Sequence, residues 1–311
     1  MKSTIVSTAD TVQCPVRGCT NKVKRQKYSF RKDSVFLCPQ HKIYISKSTW
    51  EYEIEGENVL WHDNLLNEIK TVKRESRMAR DNSEDAVTWN VFRFLEINNQ
   101  IADYLSWLID TPISSPEIKY WSYCQNERSS WSDLNKARKQ FGEQIHRGTE
   151  PDLIIITEKE LFFIEAKFGS GNNTTPGNVK NITFYEKGAE GWSSKVFRTD
   201  ITDISVRDKK YELMRLWLLG SWLAKQLNKN FFLINLVLRE REKNIKNDFS
   251  KNLMECSKRN FLRATWEDIY DFILKSDTVN VIDKQLIVDY FQNKSLGFDS
   301  KGRIIKAFSV K

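Results

Sequence analysis

Two apolar runs separated by a short charged break dominate the middle of the chain. Residues 153–157 and 161–166 are rich in β-branched and aromatic side chains and have the length of strands. The polar residues at 157–160 predict a tight turn between them. Because both runs are almost continuously apolar, we expect a β-hairpin that is covered on both faces.

Charged residues lie at the ends of these runs, where burial would normally exclude them. Asp152 begins the first strand, while Glu165 and Lys167 end the second. Side chains alternate along a strand, so Glu165 and Lys167 share one face and Ala166 takes the other. Pairing of the two strands would place Asp152 beside Glu165. Two neighbouring carboxylates repel each other unless a cation lies between them, and their hard oxygen atoms suit Mg²⁺ or Mn²⁺.

The pattern Pro151-Asp152 followed by Glu165-Ala166-Lys167 resembles the motif of the PD-(D/E)XK nuclease superfamily, which has the restriction-endonuclease-like fold. The resemblance covers roughly residues 81–275. It implies catalytic Mg²⁺ held by Asp152, Glu165 and the carbonyl of Ala166, with Lys167 assisting the water that attacks a phosphodiester. The alternative is an ordinary amphipathic hairpin with an exposed Glu165–Lys167 pair.

A predicted helix at residues 83–95 supplies a further acidic candidate. Asn82 or Ser83 can cap it, and acidic residues fill its first turn. The superfamily often places a glutamate of an N-terminal helix near the metal, and Glu84 matches that role, with Asp85 as the second choice. Alternatively, both acids only complement the positive end of the helix dipole.

A second predicted helix, residues 211–226, is apolar almost all round and is therefore expected to be buried. In the superfamily a helix after the second motif strand often presents polar or basic residues to the substrate. Tyr211 and Arg215 match that position. The alternative for Arg215 is a one-turn ion pair with Glu212.

Four metal-ligand side chains occur in two pairs near the N-terminus. Cys14 and Cys19 form a C-x4-C pair, and Cys38 and His41 form a C-x2-H pair. Three thiolates and one imidazole complete a tetrahedral structural zinc site. We therefore predict a zinc-ribbon-like module in which Zn²⁺ supplies much of the folding energy.

The segment between the two pairs is basic and carries aromatic residues. Lys24, Arg25 and Lys27 precede Tyr28 and Phe30. Basic side chains contact phosphates, and aromatic rings stack on bases, so this segment is a candidate nucleic-acid contact. A solvated polar face is an equally good explanation of the same pattern.

The charge balance and the cysteine content limit the class of protein. The chain has 49 Lys and Arg against 41 Asp and Glu, a net charge of +8 that favours a polyanionic partner. No apolar run reaches the ~20 residues that a membrane span needs, and the N-terminus lacks a signal-peptide core. An odd number of cysteines, three of them in a metal-like pattern, favours a reducing compartment, so we expect a cytoplasmic protein without a membrane partner.

The predicted fold is α/β, with a mixed central sheet flanked by helices and a small N-terminal zinc module. The expected divisions are a zinc module (1–50), a basic linker or helix (51–80) and a nuclease-like domain (81–311) with an insertion at about 169–208. Within the last division we expect a first core strand at 121–125 and a buried strand at 231–238.

The function that the resemblance implies is a Mg²⁺-dependent DNA endonuclease, with restriction or antiviral defence as the preferred setting by analogy. It would act on DNA, with RNA as an open alternative, as a homodimer or with a partner subunit. Transposon-end, junction and repair nucleases on the same fold are alternatives. A zinc-containing nucleic-acid-binding protein with an inert nuclease core is the alternative from another class.

Overall fold

A computed structural model describes residues 11–16, 18–26, 32–73 and 76–310, and its strands define the architecture. In chain order they are β1 (Thr11–Gln13), β2 (Lys22–Lys24), β3 (Ile43–Ile45), β4 (Trp50–Tyr52), β5 (Glu117–Tyr120), β6 (Tyr123–Cys124), β7 (Ser129–Ser130), β8 (Leu153–Ile156), β9 (Glu160–Ala166), β10 (Asn230–Val237), β11 (Arg259–Thr265), β12 (Ser295–Phe298) and β13 (Ile304–Lys306).

Helices connect these strands and cover the sheet. They are α1 (Asn64–Val72), α2 (Glu84–Ile97), α3 (Ile101–Ile109), α4 (Ser132–Gln140), α5 (Ile182–Gly191), α6 (Ser193–Val196), α7 (Tyr211–Gln226), α8 (Ile245–Ser250), α9 (Trp266–Lys275) and α10 (Val281–Asn293). The α5 segment is kinked at residues 188–190. Among the described residues, no helix combines the length and the apolar character required to span a bilayer.

The central sheet has five strands in the order β11-β10-β9-β8-β5. β8 pairs antiparallel with both of its neighbours, β5 and β9. β9, β10 and β11 run parallel to one another, so the sheet is mixed as predicted. The predicted hairpin is confirmed, with Leu153 opposite Ile164 in β8 and β9. The predicted bounds of β8, β9 and β10 lie within one residue of the observed ones, and those of α7 agree.

Apolar clusters cover both faces of the sheet, as the continuous apolar runs of β8 and β9 predict. Every residue of β9 is buried. Phe162 and Ile164 pack with α2, α3, α9 and α10, whereas Leu161 and Phe163 pack with α4, α7 and the α5–α6 region. By alternation, Glu165 and Lys167 continue the face that α7 covers.

Two expectations about the chain between the helices are wrong. The predicted core strand at 121–125 is displaced, because β5 ends at Tyr120 and Trp121 and Ser122 adopt positive φ angles of 45° and 62°. These two residues turn the chain into the short β6–β7 hairpin. The basic helix expected within 51–80 is limited to the nine residues of α1. The segment 169–208 contains α5 and α6, which bury Ile182 and Val196 against α7.

The N-terminal module is held by the C-terminal hairpin β12–β13. The Phe298 N–H donates to the Ser48 carbonyl at 2.8 Å, and the Phe298 ring lies 5.5 Å from that of Trp50. The approach is so close that a Cβ at Gly297 would lie 1.8 Å from the Ser48 oxygen. Residues at the two ends of the chain therefore form one small apolar cluster.

Gly220 allows α7 to lie directly on the sheet, which gives a test of this packing. An added Cβ would meet Phe231 Cζ at 2.2 Å and Phe163 Cδ2 at 2.9 Å, and both rings are fully buried. We expect Gly220→Ala to lower the free energy of unfolding by about 1–3 kcal/mol in urea denaturation. The control Gly177→Ala, with no atom within 4 Å of the added Cβ, should change it little. Equal effects of the two substitutions would contradict the packing described.

Candidate active site and metal centre

The β8–β9 hairpin brings Asp152 and Glu165 to the same end of the sheet. Asp152 precedes β8 and Glu165 is the next to last residue of β9, so the register that pairs Leu153 with Ile164 sets the two acids opposite each other. Asp152 Oδ2 accepts a hydrogen bond of 2.8 Å from the Ala166 N–H. The same hairpin therefore fixes both acidic side chains that the sequence motif singles out.

Lys167 lies at the centre of a group of carboxylates. Its Nζ forms an ion pair with Glu165 and lies 3.1 Å from Glu212 Oε2 and 3.8 Å from Glu84 Oε1. Its backbone is fixed as well, since its N–H donates to the Leu236 carbonyl and its own carbonyl accepts from Trp266 Nε1. The ammonium is therefore held in place by elements from three parts of the chain.

Glu84 reaches this group from the first turn of α2. Ser83 caps the helix by accepting the Ala86 N–H, which sets Glu84 at its N-terminus. Glu84 Oε2 accepts from the Phe168 N–H at 2.7 Å and from Ser170 Oγ at 3.2 Å. Asp85, the second acidic candidate, instead pairs with Lys73 at 3.0 Å.

The alternative explanation of Arg215, a one-turn ion pair with Glu212, is wrong. Glu212 projects from the first turn of α7 toward Lys167, whereas Arg215 pairs with Glu143 at 3.1 Å. Glu212 is thus a site residue that sequence reasoning missed. A signal for Glu212 was present in the sequence, because it is an acidic residue in the first turn of the predicted helix that follows the motif strand. The start of that helix, α7, lies against the sheet face that carries Glu165 and Lys167.

Burial and the neighbouring charges shift the pKa values of Asp152, Glu165, Glu84 and Lys167. Burial raises the pKa of Asp152 to about 7, and Glu84 adds to this while Lys167 opposes it. Burial likewise raises the pKa of Glu165 well above its ordinary value, and also that of Glu84. Burial alone would lower the pKa of Lys167, but the surrounding carboxylates, with Glu165 foremost, raise it instead.

The donor chemistry of this cluster fits a hard divalent cation. Four carboxylates surround one ammonium, so the cluster has a surplus of negative charge when the acids ionise. Oxygen-only donors of this kind suit Mg²⁺ or Mn²⁺. Lys167 occupies the space between the acids, however, and among the described residues only the cysteine–histidine group gathers its ligand atoms within 4.8 Å. A cation bound by Asp152 and Glu165 would therefore compete with Lys167 for the Glu165 carboxylate.

A cleft of about 580 Å³ opens beside Glu84. Three arginines from separate parts of the chain line it, together with Glu84 and Ser170: Arg77, Arg80 and Arg241. Arg80 also contacts Glu51 of the N-terminal region at 3.4 Å. Asp85 lines the same cleft, so three guanidinium groups and two carboxylates meet there.

The cysteine–histidine group forms a compact candidate zinc site, as predicted. The ligand atoms of Cys14, Cys19, Cys38 and His41 all lie within 4.8 Å of one another. Cys14 Sγ lies 3.5 Å from His41 Nδ1, and the Sγ atoms of Cys19 and Cys38 are 3.9 Å apart. Zinc–sulfur bonds of about 2.3 Å in a tetrahedron imply sulfur–sulfur distances of about 3.8 Å, so the spacing fits Zn²⁺.

The thiols of this group differ in their readiness to ionise. Burial raises the pKa of Cys14 to about 12. Burial opposes the ionisation of Cys38 too, but hydrogen bonds with the backbone and ring of His41 lower its pKa to about 7. Because metal ligands must be thiolates, metal binding would release the proton of Cys14.

The other predicted contact residues lie away from Lys167. Tyr211 and Arg215 line a separate cavity beside the first two turns of α7. Lys24 is exposed at the end of β2, and Arg25 lies beside Gly302 in the turn of the C-terminal hairpin. Lys27 lies outside the described residues.

No protein-family model, curated protein or solved structure matches this chain. The interpretation of the site accordingly rests on its own residues. Of the predicted catalytic residues, the fold brings Asp152, Glu165, Lys167 and Glu84 together at one end of the sheet.

The zinc site can be tested by metal content. We expect about one zinc per chain and a large loss of zinc in Cys14→Ser, because a structural site needs all four ligands. Melting temperature should fall with it, since metal binding supplies folding energy. Cys256→Ser, which changes an exposed free cysteine, is the matched control. Unchanged zinc in Cys14→Ser would remove the proposed ligand set.

The raised pKa of Asp152 predicts a pH-dependent cost to the fold in the absence of divalent metal. The pKa of Asp152 is about 7 in the folded protein and about 3.9 in the unfolded chain. The contribution of this carboxyl to the free energy of unfolding is therefore fully present below about pH 4, where it is protonated in both states. It is lost as the pH rises to about 7 and the folded protein must release the proton. Asp152→Asn keeps the oxygen that accepts the Ala166 N–H but cannot ionise. In urea denaturation, we expect the free energy of unfolding of this variant to exceed that of the wild type by more at about pH 8 than at about pH 5. A difference independent of pH would contradict the assignment.

Proposed function

We propose that the protein is a metal-dependent DNA endonuclease that hydrolyses phosphodiester bonds. The observation that carries the proposal is the convergence of Asp152, Glu165 and Lys167 at the end of the β8–β9 hairpin, with Glu84 reaching them from α2. The succession of a helix, three antiparallel strands, a helix and a parallel strand supports the resemblance to the PD-(D/E)XK superfamily.

Asp152, Glu165 and the Ala166 carbonyl would hold the catalytic Mg²⁺, with Glu84 as a further carboxylate. Bound there, the ion supplies Lewis acidity toward the phosphate and lowers the pKa of a coordinated water. Burial raises the pKa values of both principal acids, so they would have to release their protons to bind the ion. Metal binding is therefore expected to be favoured by rising pH.

Lys167 acts as a hydrogen-bond donor and a positive charge in this proposal. Its pKa is raised by Glu165, Glu84, Asp152 and Glu212, so its Nζ carries a proton at neutral pH. A protonated ammonium beside the metal ligands can orient the attacking water and stabilise charge that develops on the phosphate. Glu212 holds this ammonium from the side of α7, which makes Glu212 a positioning residue.

The arginine-lined cleft beside Glu84 provides a path for the nucleic-acid backbone to the acidic cluster. Arg77, Arg80 and Arg241 would attract phosphates toward a site that is itself acidic. One set of these residues can cut one strand at a time, so cleavage of a duplex would need a second copy or a partner subunit. Restriction or antiviral defence is the setting that we propose, by analogy with the resembling family.

A plasmid cleavage assay with Mg²⁺, Mn²⁺ or chelator tests the function. Glu165→Gln removes a charge without changing size, and we expect cleavage to fall by a factor of at least about 100. Glu160→Gln is the matched control, because Glu160 is buried at the opposite end of the same strand. Lys167→Ala should abolish cleavage while leaving DNA affinity largely intact.

Two results would contradict the proposal. Equal cleavage by wild type and Glu165→Gln would indicate a contaminating nuclease or a different site. Binding of DNA without cleavage of any DNA form by the wild type would favour the alternative of a nucleic-acid-binding protein with an inert core.

A further inference from the structure

A second cavity, of about 450 Å³, lies beside the first two turns of α7, where Tyr211 and Arg215 line it. The chain after α4, the first turn of α5 and the first two turns of α7 enclose it. The residues that define its chemistry are Glu143, Arg147, Phe184, Tyr185, Tyr211 and Arg215. The proposed hydrolysis does not use this cavity.

The floor of the cavity is a fully hydrogen-bonded polar group. Glu143, whose side chain is 4% exposed, pairs with Arg215 at 3.1 Å and accepts the Tyr185 hydroxyl at 2.8 Å. The Thr149 N–H donates to the same carboxylate at 2.6 Å. The Arg215 guanidinium also lies 5.2 Å from the ring centroid of Tyr211 and 5.9 Å from that of Tyr185. These contacts make the floor rigid before any ligand arrives.

The mouth of the cavity combines an exposed aromatic ring with an exposed cation. Phe184 is 58% exposed, and Arg147 is also exposed. Gly142 (φ +70°) lies against the Phe184 side chain, where an added Cβ would come within 3.3 Å of it. An exposed ring beside a guanidinium is the arrangement on which nucleobases stack without a fixed sequence preference.

The cavity and the acidic cluster share one turn of helix. Tyr211 lines the cavity, and the next residue, Glu212, lies 3.1 Å from Lys167 Nζ. Tyr211 and Glu212 are consecutive residues of α7, and consecutive residues of a helix point about 100° apart, so the two sites lie on adjoining sides of the same short segment. A strand with a phosphate at Lys167 therefore has a neighbouring base within reach of the cavity.

We propose that this cavity binds one unpaired nucleobase of the strand whose phosphate lies at Lys167. The inference rests on the proposed nuclease function and adds a substrate class to it: strands with an unstacked or unpaired base next to the scissile phosphate. The base stacks on Phe184, and Arg147 donates to its polar edge. The volume falls within the range of about 300–1,000 Å³ that is usual for small-molecule sites.

An abasic-site scan tests the proposal without requiring cleavage. Single-stranded oligonucleotides of one sequence, each with one abasic site at a different position, are bound to zinc-loaded protein without added Mg²⁺, and affinity is measured by fluorescence anisotropy. Base–aromatic stacking is worth about 1–3 kcal/mol, so one abasic position should weaken binding by about 5- to 150-fold.

Two variants of Phe184 identify the ring responsible. Phe184→Ala should weaken binding of the intact strand by the same factor as the sensitive abasic position. When the variant is bound to the strand that carries this abasic site, the affinity should fall no further than with either change alone. Phe184→Trp should restore the affinity. The control is Trp107→Ala, which removes an aromatic ring that is 54% exposed and packs near Tyr104 and Phe272 on the other face of the sheet.

The outcomes separate this proposal from the nuclease function. A scan without a sensitive position, or losses that multiply in the combined experiment, would overturn the nucleobase site even if the protein cleaves DNA. A sensitive position that disappears in Phe184→Ala would support the site even if no cleavage is found. Failure to bind any of these single strands would also overturn the nucleobase site, whereas the plasmid cleavage assay decides the nuclease function separately.

Discussion

A buried ammonium among buried carboxylates is the interaction on which the site depends. Lys167 directly follows β9, and its ammonium contacts Glu165 from the end of that strand, Glu84 from α2 and Glu212 from α7. Burying several like charges is costly unless each has a partner. The helices that supply Glu84 and Glu212 must therefore begin at this end of the sheet, and the sheet must place Asp152 there too. The same electrostatic constraint therefore applies to the packing of these elements and to the chemistry proposed for the site.

The N-terminal metal module is coupled to this constraint through the start of α2. The Asp81 N–H donates to the Trp50 carbonyl at 3.0 Å, and the Tyr52 N–H donates to the Ala79 carbonyl at 2.8 Å. Lys294, fully buried near the C-terminus, pairs with Asp81 at 3.3 Å. The segment fixed in this way leads directly into the cap at Ser83 and then Glu84. Loss of the zinc site would thus loosen one of the carboxylates around Lys167.

Local signals in the sequence predict the hairpin and the helices well, because apolar periodicity and capping residues act over a few positions. The bounds of α7 and the convergence of Asp152 with Glu165 follow from such signals. The partners of Arg215 and Glu212 do not. Arg215 pairs with Glu143, 72 residues earlier, and Glu212 pairs with Lys167, 45 residues earlier, so only the packing of α7 decides them. Likewise, nothing local indicates that the positive φ angles of Trp121 and Ser122 end β5.

We propose that the acidic cluster around Lys167 binds a divalent cation through Asp152 and Glu165. Isothermal titration of Mn²⁺ into zinc-loaded protein, in buffers of different ionisation enthalpy, measures affinity and proton release together. The account predicts one site per chain, release of protons from the carboxyls whose pKa values burial raises, and loss of binding in Asp152→Asn. Absence of binding in the wild type, or equal binding without proton release in both proteins, would contradict it.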